Sequence, residues 1–244
     1  MADGCHHSSV YPPLMTDLTT RTREWIEGDP DPKTRAELAS LLESGDLDAV
    51  SERMAGTLTF GTAGIRGVVE GGSNRMNRAT VIRTTAGLAA YLLERTSPSQ
   101  RLIAIGRDAR LSSLSFMEDT IGVLTAAGFD VRYFEEPTPT PLVAYSGLTL
   151  GACASIVITA SHNPPKDNGY KVYASNGAQI ISPADIEIAT AIGSVGPANA
   201  VPRAADPLRH PAAKPIGPDM FEDYLREVAA SLPPVTGDRS IRIV

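Results

Sequence analysis

Cysteine is scarce: Cys5 and Cys153 are the only two among 244 residues. They cannot build a disulfide framework, and they lack the spacing of a zinc site. No apolar run reaches the roughly 18 residues that a membrane-spanning helix needs. The opening stretch MADGCHHSSVYPP has neither a basic nor an apolar segment, so it does not read as a signal peptide. Basic residues are in deficit, 22 Lys+Arg against 28 Asp+Glu, for a net charge of −6. That sign argues against nucleic acid or an anionic membrane as partner. With 42% hydrophobic and 20% charged residues, the composition is globular rather than disordered. The expectation is a soluble, cytoplasmic protein of one large domain, or one domain plus a piece.

The pattern along the chain gives the fold class. Residues 1–20 are polar and aperiodic and read as a loose tail; His6 and His7 have no third ligand nearby. Thr34 to Glu37 matches a capping box ahead of a helix carrying Leu38, Leu41 and Leu42. Gly45 should end that helix and Asp46 should cap the next, through Leu47, Val50 and Met54. From Asn77 a long amphipathic helix places Val81, Ile82, Thr85, Leu88, Ala89, Leu92 and Leu93 on one stripe. A buried strand is expected at 101–106. A helix with Leu114, Met117, Ile121 and Leu124 follows, closed by Gly128, then a strand at 131–134. A short helix at 142–148 leads to a strand at 154–158. This alternation predicts an α/β fold: a mainly parallel mixed sheet with helices on both faces and an N-terminal helical extension.

Beyond the third strand, Asn176-Gly177 between two alternating runs reads as a hairpin turn over 170–181. A helix is expected at 183–192. Residues 197–218, rich in Ala and Pro, read as a linker. A helix at 220–230 is expected to be capped by Asp219, and 241–244 reads as the first strand of a second domain. The expected layout is therefore a tail (1–20), an α/β domain (21–210), and a linker helix with that first strand (211–244).

In such sheets functional loops gather at the C-terminal strand ends. That selects residues 106–110, 135–141 and 159–165. The last belongs to the run Thr159-Ala160-Ser161-His162-Asn163-Pro164-Pro165, continuing to Lys171. Ser161 there is a candidate nucleophile or phosphate carrier; the plainer alternative is a turn built of turn-forming residues. A serine-hydrolase elbow needs Gly-x-Ser-x-Gly, but Thr159 and Asn163 occupy the glycine positions. Phe60 to Gly67, with three glycines and Arg66, lets backbone N–H groups approach an anion; it lacks the Gly-Lys ending of a P-loop. Its alternative is a simple glycine-rich turn. In Gly106-Arg107-Asp108-Ala109-Arg110, an Arg–Asp pair bracing the loop is the preferred reading of Asp108. The Asp29/Asp31 and Asp46/Asp48 pairs do not read as magnesium sites, because prolines lock the first and the second lies at a helix start.

These segments together resemble the α-D-phosphohexomutase family of phosphoglucomutases and phosphomannomutases. The loop at 159–164 resembles the family's phosphoserine loop, and Asn168-Gly169-Tyr170-Lys171 the element after it. The motifs TRAEL, SGDLD, FGTAGIRG and NRMN (34–77) and NGAQIISP (176–183) resemble its long branch of glucose 1,6-bisphosphate type. The resemblance implies exchange of sugar 1-phosphate and 6-phosphate through a bisphosphorylated intermediate. Glucose is favoured, with mannose and pentose phosphates as alternatives. It further implies Ser161 as phosphoserine, Lys171 as general acid/base, Arg66 assisting proton transfer or stabilising charge, and His162 positioning the sugar. Thr62, Arg66, Arg107, Asn163 and Lys171 would bind substrate. Mg²⁺ held partly through the Ser161 phosphate, and a sugar 1,6-bisphosphate activator, are implied as cofactors. The family's Asp-x-Asp-x-Asp-Arg metal loop, its Gly-Glu-x-Ser-Gly sugar loop and its C-terminal phosphate loop have no counterpart in these 244 residues. The implied partners are a phosphosugar and missing C-terminal domains of the same protein. The competing expectation is a catalytically incomplete fragment.

Overall fold

The computed structural model describes residues 13–61, 64–233, 237 and 240. Three helices lead: α1 (Pro13–Gly28), α2 (Pro32–Ser44) and α3 (Leu47–Arg53). The sheet and its covering helices follow as β1 (Ile65–Val68), α4 (Arg78–Leu93), β2 (Leu102–Arg107), α5 (Ser113–Ala126), β3 (Asp130–Tyr133), α6 (Thr140–Leu150), β4 (Ala154–Ile158), β5 (Asp167–Ala174), α7 (Ala184–Gly193), β6 (Ala213–Pro215) and α8 (Asp219–Ser231). No helix among the described residues is long and apolar enough to cross a membrane.

The six strands lie in the order β1-β5-β4-β2-β3-β6. The β4, β2, β3 and β6 ladders are parallel, whereas β5 runs antiparallel to both β4 and β1. This is the expected mixed sheet with helices on both faces. Side-chain alternation divides the core. Ile156 and Ile158 pack with Val81 and Leu88 of α4, Ile121 of α5 and Ile188 of α7. Val157 points the other way, against Leu142 and Val143 of α6, with Met220 and Tyr224 of α8 behind them.

Several boundaries follow from local chemistry as expected. Gly45, at φ 75, ends α2, and the Asp46 side chain accepts from the Ala49 backbone N–H at 3.1 Å. Asn77 Oδ1 accepts from the Thr80 N–H at 2.8 Å and caps α4.

Others differ. Residues 13–20 are helical rather than a tail, because Leu18, Trp25 and Ile26 of α1 pack on Leu38, Val50 and Met54. Residues 1–12 lie outside the described residues. Thr34 does not cap α2: Asp31 does, accepting from Lys33 N–H at 2.9 Å, while Thr34 donates to Asp29 Oδ2 at 2.6 Å. Glu37, the expected box partner, instead pairs with Arg53 and accepts from the Gly71 N–H at 3.1 Å. Leu114 is 42% exposed, since the first turn of α5 buries Ser113 instead.

The turn at Asn176-Gly177 forms, but its second arm keeps only one bridge, Tyr173 to Gln179, before α7 begins. Residues 197–218 are not a free linker. Ala213–Pro215 adds the sixth strand beside β3. Arg203 pairs with Asp119 of α5 at 3.2 Å, and the Ala204 N–H donates to the Gly122 carbonyl at 3.0 Å. Asp219 is the first residue of α8 rather than its cap, and its carboxylate faces the helix dipole only as a charge. The strand expected at 241–244 lies outside the described residues.

Candidate active site

β4 ends in a fully buried Ile158, and the chain then turns sharply. The Thr159 N–H still donates to the Gly169 carbonyl of β5 at 3.0 Å, so the loop starts from a fixed point. Two residues later Ser161 adopts φ 60, the one non-glycine residue with positive φ among the described residues. A side chain held in that left-handed region carries about 1–3 kcal/mol of strain, which the surroundings must offset. The Ser161 N–H donates to Thr159 Oγ1 at 2.9 Å. The Ser161 and His162 side chains are exposed.

Arg110 supplies the rest of the restraint. Its guanidinium donates to the Ser161 carbonyl at 3.2 Å, to Asn163 O at 2.9 Å, to Pro164 O at 2.6 Å and to Asp167 O at 2.8 Å. A planar fork with five N–H donors can gather four inward-facing carbonyls, which an ammonium cannot do in one plane. Asp108 aims the fork: its Oδ2 accepts from Arg110 Nε at 2.9 Å and from Thr159 Oγ1 at 2.7 Å. Its Oδ1 accepts from Ser113 Oγ at 2.6 Å and the Arg110 N–H at 3.0 Å. Burial pushes this carboxyl up, but the hydrogen bonds from Ser113, Thr159 and Arg110 outweigh it and hold it below the usual carboxylate range. The pair braces the loop, as the sequence led one to expect for Asp108.

The neighbouring strands bring the other two candidates. Lys171 sits opposite Val157 of β4, and Arg66 of β1 sits opposite Gly169 of β5. Lys171 is buried at 7% exposure. Burial first, and the nearby Arg66 charge second, push its amine below the ordinary lysine range. Arg66 Nε is itself buried without an acceptor among the described residues. Gly169 makes the close approach feasible: a Cβ there would lie 2.6 Å from Thr159 O and 2.7 Å from Ile65 O. Two cations pressed together in this way leave one unpaired donor and one amine that gives up its proton more easily.

Placement of the remaining candidates is uneven. Asn163 lies on the Ser161 loop, its amide donating to Asp167 Oδ2 at 2.9 Å. Arg107 ends β2 at the same edge of the sheet, but its guanidinium is turned to the Glu135 carbonyl at 2.9 Å and the Asp108 carbonyl at 3.3 Å. Thr62 lies outside the described residues. Sequence reading did not single out Arg110, Thr159 or Asp167 as site residues. The i, i+2 spacing of Asp108 and Arg110 at a strand end was the available signal for Arg110.

A magnesium ion would require converging oxygen ligands. Among the described residues no three His, Cys, Asp or Glu side chains come together. Asp108 has both oxygens engaged, and Asp167 Oδ1, although buried without a partner, stands alone beneath the loop. These residues do not fit a magnesium site by themselves, and no chemical step here is routed through the metal.

Comparison with known proteins decides the family. Residues 57–197 match the model described as phosphoglucomutase/phosphomannomutase, alpha/beta/alpha domain I. The chain belongs to the phosphoglucomutase/phosphomannomutase family. Mouse phosphopentomutase is 39% identical over 221 residues, covering 84% of this chain and 35% of that protein. Phosphoribomutase of Saccharomyces cerevisiae is 38% identical, covering 73% of this chain and 29% of its own length. Mouse glucose 1,6-bisphosphate synthase is 38% identical, covering 76% and 32%. A solved structure from Thermus thermophilus, described as a phosphomannomutase, superposes with a TM-score of 0.61 at 27% identity, over 73% of this chain and 37% of that one. The chain spans about a third of the length of the curated relatives it matches.

Proposed function

We propose that this chain is the phosphoryl-carrying part of a phosphosugar mutase, with Ser161 as the carrier. The observation that supports this most is the Ser161 loop itself. An exposed serine in a left-handed conformation sits on a loop that one guanidinium clamps by four carbonyls, and the strand paired with β4 carries a buried amine of lowered pKa. Phosphoryl transfer depends chiefly on positioning and on neutralising charge, and this arrangement supplies both.

In the proposed step the Oγ–P bond of phosphoserine breaks as a sugar hydroxyl forms a new O–P bond. The Lys171 amine takes the hydroxyl proton and hands it on to the departing Ser161 Oγ, ending neutral again, so protons and charge balance. The reverse step on the other hydroxyl restores the phosphoserine. Arg66 holds Lys171 toward its neutral form and places a fixed charge beside the transferred group. His162 and Asn163, on the same loop, orient the sugar. Thr62 and Arg107 are proposed to contact its phosphate, Arg107 after releasing the Glu135 carbonyl.

The substrate class is a sugar phosphate, with a sugar 1,6-bisphosphate as activator. Glucose phosphate is preferred on the motifs of residues 34–77 and 176–183. Relatives named phosphopentomutase and phosphoribomutase make pentose phosphate the nearest competitor. Incubation with glucose 1,6-bisphosphate, followed by intact-protein mass spectrometry, tests the carrier role. One phosphoryl group should be gained by the chain and none by Ser161→Ala. Undiminished uptake in that variant would remove Ser161 from the role.

A second reading is favoured by the lack of a metal-ligand cluster among the described residues: the chain folds but does not turn over substrate alone. A coupled assay of 1-to-6 transfer, with magnesium and the bisphosphate, should then stay near background. Turnover comparable to a full-length relative refutes this second reading.

A further inference from the structure

A cleft of about 730 Å³, away from the Ser161 loop, lies between α1, the start of α4 and residues 195–199. None of its lining residues belongs to the Ser161 loop, β1 or β5. A smaller cleft of about 170 Å³ adjoins it, and the two share Trp25, Thr57, Ser73 and Arg83. The combined size suits a small organic molecule.

The polar groups inside it are one-sided. Trp25 Nε1 and Arg83 Nε are both buried with no acceptor among the described residues. Arg83 uses one terminal nitrogen on the Val195 carbonyl, at 3.0 Å, and its Cζ stands 5.8 Å from the centre of the Trp25 ring. No ion pair among the described residues includes Arg83, while burial pulls its guanidinium below the ordinary arginine range. A half-buried cation with no ion-pair partner and a buried, unpartnered Nε, next to a buried indole N–H without an acceptor, leaves two donors that an acceptor in the cleft would complete. The floor is apolar, formed by the buried Met54, Ala79 and Ala198.

Charge at the rim narrows the occupant. Glu24 and Glu27 stand at the opening against Arg21 and Arg83, so the lining is balanced overall. A phosphate dianion would meet two carboxylates on entry, whereas a monoanion would be matched by the inner guanidinium. We propose that this cleft binds a small carboxylate with a flat apolar body, its carboxylate accepting from Arg83 and Trp25 and its body lying on the apolar floor.

Trp25 is the single tryptophan of the sequence, so its emission reports on this cleft alone. The experiment titrates the chain with benzoate and follows Trp25 emission and its quenching by acrylamide. A saturable emission change with reduced quenching is expected. Benzamide, the neutral isostere, should bind at least tenfold more weakly, and inorganic phosphate should give no response. Arg83→Met should weaken benzoate at least tenfold while leaving phosphate uptake at Ser161 unchanged. Absence of a saturable benzoate response in the unmodified chain overturns the proposal, as the outcome expected if water alone meets these donors. Equal binding of benzoate and benzamide, or undiminished binding by a folded Arg83→Met, overturns it too. Should Arg83→Met fail to fold, the benzoate and benzamide comparison on the unmodified chain decides.

Discussion

The Arg110 guanidinium donates to the Ser161 carbonyl at 3.2 Å while its Nε is held by Asp108 at 2.9 Å. The residue with the strained backbone is thus tied to a side chain anchored 51 positions earlier in the sequence. The strand order explains how: β2 and β4 are parallel neighbours, so residues just past their ends share one edge of the sheet. Asp108, Arg110 and the Ser161 loop are therefore adjacent because the crossover from β2 through β3 returns beside β2.

Arg110→Lys should loosen this loop without removing the charge. A lysine amine cannot reach four carbonyls in one plane, so several are left to water. Stability should fall by about 1–3 kcal/mol in urea unfolding. Phosphate uptake at Ser161 should slow by roughly a hundredfold, the scale at which a misplacement of about 1 Å is felt. Uptake at the normal rate would show that the clamp is not what positions Ser161.

Asp108→Asn tests the same bracing through pH. Because the folded carboxyl titrates below its unfolded value of 3.8, its contribution is in full above that value and is lost as pH falls through the folded pKa. Asn keeps one acceptor and turns an amide toward donors. The variant should be less stable by about 2–3 kcal/mol at neutral pH. The gap between the two proteins should close below about pH 4, in denaturation series across that range. A gap that persists unchanged in acid would contradict the depressed carboxyl.

Lys171 works with the opposite sign. Its folded pKa is lowered by burial and by Arg66, so between that value and 10.5 the unfolded chain binds more protons than the folded one. Stability attributable to Lys171 therefore rises as pH climbs through this window, and the cost of burying its ammonium is fully felt below it. Lys171→Met should gain on the unmodified chain at pH 7 and lose that advantage as pH approaches 10.5. Arg66→Met should narrow the window by removing the second cause. Parallel stability curves for Lys171→Met and the unmodified chain would show that the amine is not perturbed.

Much of this geometry is legible in the sequence. The stripe Val81–Leu92, the apolar runs at 103–105 and 154–158, and glycine or asparagine at helix ends each carry their own local reason, and all lie where periodicity puts them. Thr34 misleads because a capping box is a pattern of residue types, and Asp31 with Pro32 caps one turn earlier. The Ala- and Pro-rich stretch at 197–218 misleads because its order comes from partners far off in sequence, Asp119 and β3. The pairing of Arg110 with Asp108 is legible, but its grip on the Ser161 loop is not, for a related reason: its four acceptors are backbone carbonyls, and no side-chain motif announces those.

Two glycines separate space from handedness. Gly45 has φ 75 and nothing within 4 Å of the place where a Cβ would stand, so Gly45→Ala should cost only the left-handed backbone, about 1–2 kcal/mol. Gly169 does not need a positive φ, yet a methyl group there would stand 2.6 Å from Thr159 O, 2.7 Å from Ile65 O and 3.0 Å from Arg66 Cγ. Two of those three are backbone atoms, one in β1 and one just past the end of β4, and cannot swing aside. Gly169→Ala must push β1 or the start of the Ser161 loop away from β5, with a loss above about 3 kcal/mol. Since that shift separates Arg66 from Lys171, the surviving folded molecules should also show Lys171 titrating closer to 10.5, measurable by NMR of the labelled lysine side chains. Equal, small losses in the two alanine variants would mean that the strands have room to spare beside Gly169, and that close packing is not what sets the Arg66–Lys171 approach.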